Sequence, residues 1–230
     1  MYKDKKVSAI LLAGGSGTRF GADGNKVYVE IGGKPILAYS LEVLANHPLV
    51  DVCILVVKAG EEAIAEQIVR EAKLKDPSKV SYAVGGSTRQ ESVYHGLCAA
   101  EGDIVLIHDS ARPMIRSNYV DACLDAMDRV PGCSIAVRSK DTIKLTDEKG
   151  LVTQTTVRAR TWVIQTPQCF DLRILKAAHE RFKDASGITD DCSILELAGE
   201  PVQLIEGDYT NIKVTTPEDR ELAEAFLADL

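Results

Sequence analysis

Short apolar runs alternate with amphipathic stretches over most of this chain, and that alternation restricts its fold more than any other feature. Runs at 7–13, 52–57, 80–84, 104–107 and 134–137 read as strands, and 35–47, 61–74, 89–99 and 118–130 read as helices. This rhythm predicts an α/β fold built on a mostly parallel sheet. Pro35 at a first helical turn marks a helix start, as does the run from Thr216 to Asp219 ahead of Leu222, Ala223 and Phe226. Thr189, Asp190 and Asp191 open a further helix, and residues 211–214 place Lys213 within a short apolar strand. With 230 residues, one large domain spanning 1–230 is expected.

One segment breaks the rhythm. Residues 141–145 and 151–157 read as two strands joined by the polar turn 146–150, a β-hairpin within a subregion at 139–159. A lone hairpin is marginal in water, so it must lie on the parent sheet or on another chain. The second option implies a homodimer.

With 27 Lys and Arg against 34 Asp and Glu, the net charge of −7 gives no global field toward nucleic acid or an anionic membrane. The six cysteines form no C-x-x-C pair and are expected to be reduced, packed thiols. His47, His95, His108 and His179 lack metal-ligand spacing. The first apolar run is too short for a signal sequence or a membrane span, so a cytoplasmic protein is expected.

Ligands of open α/β sheets bind beyond the carboxyl ends of the strands, and here those ends are polar. Residues 10–26 form a glycine-rich loop that follows the first run and carries Arg19 and Lys26. Glycines bring backbone N–H groups close to an anion and the two cations add formal charge, so the loop reads as a polyphosphate site. It is not a P-loop, because Lys26 is followed by Val27, and a dinucleotide fingerprint beginning at Gly15 would place Phe20 at its third glycine. The third run leads to Gly85, Gly86, Arg89 and Ser92, where Gly86 and Ser92 can read a base by hydrogen bonds. The fourth leads to His108, Asp109, Ser110, Ala111, Arg112 and Pro113. Asp109 can hold Mg²⁺ or a ligand hydroxyl, or act only as a helix cap or an ion-pair partner of Arg112. Lys213 can snorkel, or aim its amine into a cleft.

Taken in order, these motifs with the Asp141 to Lys144, Gln165 to Gln168, Ile188 to Asp190 and Asn211 to Thr215 runs resemble the 2-C-methyl-D-erythritol 4-phosphate cytidylyltransferase family over essentially the whole chain. The resemblance implies a Rossmann-like, mostly parallel sheet of the nucleotide-diphospho-sugar transferase type, with helices on both faces and the hairpin as a dimerisation arm. It implies CMP transfer from CTP to a polyol phosphate with release of pyrophosphate, a step of isoprenoid precursor biosynthesis, with Mg²⁺ bound mainly through the CTP phosphates. Carried over residue by residue, Ala13, Gly14, Gly15, Gly86, Arg89 and Ser92 resemble the CTP pocket, and Arg19 and Lys26 the groups that stabilise the transition state. Asp109, Arg112, Thr189 and Lys213 resemble the polyol phosphate site, and Thr142 and Arg158 residues lent by the arm to a partner's site. Asn25 departs from the family, which commonly has proline ahead of the loop lysine. Two rival readings remain at this point, a ribitol-5-phosphate cytidylyltransferase and a non-catalytic nucleotide-binding regulator on the same fold.

Overall fold

The computed structural model describes residues 1–14 and 25–228. In chain order its elements are β1 (Val7–Leu12), β2 (Glu30–Ile31), β3 (Lys34–Pro35), α1 (Ile36–Asn46), β4 (Val52–Val57), α2 (Glu62–Glu71), β5 (Val80–Val84) and α3 (Arg89–Ala99). There follow β6 (Ile104–Asp109), α4 (Ser117–Ala126), β7 (Gly132–Arg138), β8 (Lys144–Thr146), β9 (Val152–Thr155) and β10 (Trp162–Asp171). The chain continues through α5 (Leu172–Arg181), α6 (Asp191–Leu197), β11 (Val202–Glu206) and α7 (Pro217–Ala228), and a 3₁₀ turn at Lys26–Tyr28 precedes β2.

The central sheet has seven strands in the order β11-β7-β10-β6-β1-β4-β5. All neighbours are parallel except β10, which runs antiparallel to both β6 and β7. Side chains alternate across the pleat, so β1 sends Ala9 and Leu11 to one face and Ile10 to the other. The first face packs on Leu37 and Leu41 of α1, Ala65 and Ile68 of α2, and Val120 and Cys123 of α4. The second packs on Val93 and Leu97 of α3, Leu175 of α5 and Leu195 of α6. Helices therefore cover both faces. Gly96 lets α3 approach closely, since a Cβ there would sit 2.8 Å from Ile10 Cγ2. The six cysteines are all free thiols, and only Cys98 is exposed.

Several elements differ from the sequence reading. The helix expected at 61–74 ends at Glu71, because Ala72 turns extended at φ −66°, ψ 147°. Pro35 lies in β3, one residue ahead of α1, rather than in the first turn. Residues 211–214 are not a strand. Asn211, Lys213 and Val214 instead run beside the turn after β6, held by Val214 N–H donating to the Ala111 carbonyl at 2.8 Å.

β10 went unpredicted, and it bulges between Ile164 and Gln168. The hairpin is present as β8 and β9, a separate two-stranded sheet that, among the described residues, pairs with no strand of the central one. Gly150, at φ +80°, closes its turn, where Asp147 Oδ1 accepts the N–H groups of Lys149 and Leu151, both at 2.9 Å. Its apolar side chains are open to solvent, with Leu151 64% and Val152 60% exposed.

Candidate active site

The sheet order reverses at β1, whose neighbours β4 and β6 lead the chain in opposite directions, and the crevice beyond such a switch point is where an open sheet holds its ligand. β1 delivers Ala13 and Gly14 there, and β6 delivers Asp109. Ala13 N–H donates to the Val56 carbonyl at 2.8 Å and Ser110 N–H to the Leu12 carbonyl at 3.1 Å, so both strand ends are fixed to their neighbours.

Asp109 is the centre of a charged cluster. Lys213 Nζ donates to its Oδ2 at 2.7 Å, and Arg89 Nε lies 3.5 Å from its Oδ1. Arg89 also reaches away from the crevice, with Nη1 2.8 Å from Asp191 Oδ2, and Asp191 Oδ1 lies 3.1 Å from His179 Nε2. Charges thus alternate along Asp191, Arg89, Asp109 and Lys213. Burial pushes the Asp109 carboxyl upward, but Arg89 and Lys213 outweigh it and hold the group well below the usual carboxylate range. For Arg89 burial works against the charge, and Asp191 and Asp109 more than restore it. Asp109 is therefore ionised at any physiological pH.

The backbone around Asp109 is pinned by a polar network under the crevice. Asp109 N–H donates to Thr166 Oγ1 at 3.2 Å, Thr166 Oγ1 lies 2.9 Å from His108 Nδ1, and His108 Nε2 lies 3.2 Å from the Arg112 carbonyl. A carbonyl only accepts, so Nε2 carries the proton and Nδ1 accepts from the threonine hydroxyl. Burial drives the His108 pKa down to about 4, which keeps the ring neutral and both nitrogens committed. Asn211 closes the far side, its Nδ2 donating to Gln165 Oε1 at 3.1 Å and to the Thr166 carbonyl at 3.0 Å. Gln168 ties in α6, with Nε2 donating to Asp190 Oδ2 at 2.7 Å and Oε1 accepting from Asp191 N–H at 3.2 Å.

The expected site residues are placed as follows, with Lys26 opening the 3₁₀ turn Lys26–Tyr28. Ala13, Gly14, Arg89, Asp109 and Lys213 stand at the strand ends of the switch point or on the charged cluster. Gly86 and Ser92 are joined by their own bond, Gly86 N–H donating to Ser92 Oγ at 3.1 Å while that hydroxyl donates to the Thr88 carbonyl at 2.8 Å. A Cβ on Gly86 would meet Glu91 Cβ at 2.3 Å, so the turn needs glycine. Arg112 points its guanidinium at the Asn211 and Ile164 carbonyls, 2.9 and 3.4 Å away, and so ties the β6 turn to the Lys213 segment. Thr189 is exposed just ahead of the Asp190 cap of α6.

Thr142 and Arg158 lie at the foot of the hairpin, both exposed, and among the described residues no side-chain hydrogen bond or ion pair joins them to the Asp109 cluster. Gly15 and Arg19 lie outside the described residues. Sequence reasoning gave Asp191 only a place at a helix start and gave His179 and Thr166 no site role. The doubled acid at the start of α6 was the available signal, since a helix cap needs only Asp190.

A bound Mg²⁺ would need oxygen ligands free to reach it. Among the described residues no group of three or more His, Cys, Asp or Glu side chains is placed to hold a metal, and both Asp109 oxygens face cations. The described residues do not fit a metal held by the protein itself.

Comparison with known proteins places nearly the whole chain in one family. The profile of the 2-C-methyl-D-erythritol 4-phosphate cytidylyltransferase family matches residues 7–229. Proteins of that name from Geobacillus thermodenitrificans and Desulforamulus reducens are 44% and 39% identical, over 96% of this chain in each case and 96% and 95% of their own lengths. The crystal structure of 4-diphosphocytidyl-2C-methyl-D-erythritol synthase from Anaerococcus prevotii superposes with a TM-score of 0.86 at 32% identity, covering 97% of this chain and 99% of that one. The chain belongs to the 2-C-methyl-D-erythritol 4-phosphate cytidylyltransferase family.

Proposed function

We propose that the chain is a nucleotidyltransferase that moves CMP from CTP to 2-C-methyl-D-erythritol 4-phosphate, giving 4-diphosphocytidyl-2-C-methyl-D-erythritol and pyrophosphate. The observation that carries this reading is the Asp109 and Lys213 pair, 2.7 Å apart, at a switch point that also receives Ala13 and Gly14. A carboxylate beside an ammonium suits a ligand that is at once a polyol and an anion: Asp109 accepts from hydroxyls while Lys213 meets phosphate. Family membership favours this polyol over ribitol 5-phosphate and an enzyme over a regulator.

The nucleophile is a phosphate oxygen, which is already anionic, so no general base is required. The site agrees, because His108 is neutral with both nitrogens engaged. Catalysis is then positioning and charge neutralisation of two mutually repelling anions. In this reading Arg19 and Lys26 hold the triphosphate as charge develops, Ala13, Gly14, Gly15, Gly86 and Ser92 form the CTP pocket with Arg89 at its side, and Asp109, Thr189 and Lys213 take the polyol phosphate. Arg112 acts by fixing the Lys213 segment. Mg²⁺ enters on the CTP phosphates rather than on a protein cage.

The same proposal makes the protein a cytoplasmic homodimer of one catalytic unit per chain, with Thr142 and Arg158 serving the other subunit's site. Its support is the hairpin, whose exposed Leu145, Leu151, Val152 and Val157 stand away from the parent sheet. Among the described residues no helix is long and apolar enough to cross a membrane. The test is pyrophosphate release with CTP against a panel of polyol phosphates. Turnover should require 2-C-methyl-D-erythritol 4-phosphate, with ribitol 5-phosphate and erythritol 4-phosphate much poorer; a higher kcat/KM for ribitol 5-phosphate would overturn the assignment.

A further inference from the structure

We infer that Asn25 and Glu61 are positioning residues that clamp Lys26 at the base of the glycine loop, supplying with hydrogen bonds the stiffness that proline supplies with its ring. The inference rests on the proposed role of Lys26 in the transfer step.

Asn25 is 6% exposed and donates both amide hydrogens, one to the Ala13 carbonyl and one to Glu61 Oε2 at 2.9 Å. Its Oδ1 caps the 3₁₀ turn by accepting Val27 N–H at 3.4 Å. The same Glu61 oxygen accepts from Tyr28 Oη at 3.0 Å, so one carboxylate holds the residues on both sides of Lys26. Glu61 is itself fixed, its N–H on the Lys58 carbonyl at 3.0 Å and its carbonyl taking Ala65 N–H at 3.1 Å. Ala13 is fixed by Val56, as described above. The bond from Asn25 to Ala13 therefore ties residue 25 to the end of β1, and it does so beside the lysine. Asn25 sits at φ −79°, within the range proline imposes, and among the described residues its N–H makes no hydrogen bond. Proline and this clamp are thus two ways to fix one backbone position.

The experiment compares Asn25→Ala, Asn25→Pro, Glu61→Ala and Glu61→Gln, each alone and with Lys26→Ala, in pyrophosphate release, alongside amide hydrogen exchange of residues 25–29 without substrate. Asn25→Ala and Glu61→Ala should each lower kcat about tenfold with KM for CTP changed less than about threefold, since a displaced cation fails most where charge develops. Glu61→Gln, which keeps an acceptor oxygen, and Asn25→Pro should both retain more activity than the alanine variants. In the Lys26→Ala background the further loss should vanish, because residues acting through one group are not additive. Exchange at Val27 and Tyr28 should quicken in both alanine variants. Losses that multiply with Lys26→Ala, or unchanged exchange, would overturn the clamp. The exchange arm needs no substrate, so it judges the clamp even if the wild-type chain turns over no polyol phosphate, a result that would instead overturn the proposed function.

Discussion

Asp191→Asn isolates the buried charge that anchors the cluster, because the substitution keeps shape and removes only the negative charge. Asp191 has no solvent exposure, and it stands between Arg89 Nη1 at 2.8 Å and His179 Nε2 at 3.1 Å. Breaking a fully buried pair costs about 3–5 kcal/mol, but the Arg89 side chain is 30% exposed, so water recovers part of its solvation. Allowing also for the Asp109 carboxylate that remains 3.5 Å from Arg89, we expect a loss of about 2 kcal/mol.

The loss should depend on pH. Burial raises the Asp191 carboxyl, but Arg89 and His179 outweigh it and leave it below its ordinary value. The unfolded state therefore binds the proton more readily. The contribution is complete above the unfolded value near 3.9 and disappears as pH falls below it. Urea unfolding of wild type and variant across this range reads the effect, provided the slopes agree. A difference below about 0.5 kcal/mol at neutral pH, or one that stays constant into acid, would refute the reasoning.

Three further outcomes are expected. Lys26→Ala should lower kcat on the order of 10²-fold while weakening CTP binding far less, and calorimetric affinities that fall in proportion to kcat/KM would make it a binding residue instead. Arg158→Ala and Lys213→Ala should each be nearly inactive alone. Co-refolded together, they should recover roughly a quarter of wild-type activity, because half the dimers are mixed and each has one intact site. Mixed dimers that form, as seen by native mass spectrometry, yet remain dead would rule out a shared site. Initial rates with ATP or GTP should be negligible, and turnover near the CTP rate would remove Gly86 and Ser92 from base selection.

The strand at 52–57 was legible because burial on both faces writes a continuous apolar run, and the half-exposed edge strand at 80–84 through its valines and tyrosine; both, and the helix at 89–99, have the expected bounds. β10 was not, and its residues explain why. Gln165, Thr166 and Gln168 are polar and Pro167 lacks a donor, which together read against a central strand. Those polar groups sit there because they fix Asp109, Asn211 and Asp191 from beneath. The chemistry of the switch point thus erased the periodicity of the strand that supports it.

The candidate site divides in the same way. Asp109 was readable as a charge following an apolar run and Lys213 as one flanked by apolar residues, although Lys213 was assigned to a strand that does not exist. Asp191 and His179 were not singled out, since their meaning lies in a contact between helices α5 and α6 that spacing does not encode. The departure at Asn25 was visible as an exception. Only the bonds to Ala13 and Glu61, which lie far along the chain, show what it does.

The most direct measurement is an internal competition: equal amounts of 2-C-methyl-D-erythritol 4-phosphate and ribitol 5-phosphate offered to the enzyme with limiting CTP, with both cytidine diphosphate products quantified by mass spectrometry. The product ratio equals the ratio of kcat/KM values, free of differences in enzyme amount. A crevice that pairs Asp109 with Lys213 for the branched four-carbon polyol predicts 4-diphosphocytidyl-2-C-methyl-D-erythritol in large excess. An excess of the ribitol product, or neither product, would contradict the account.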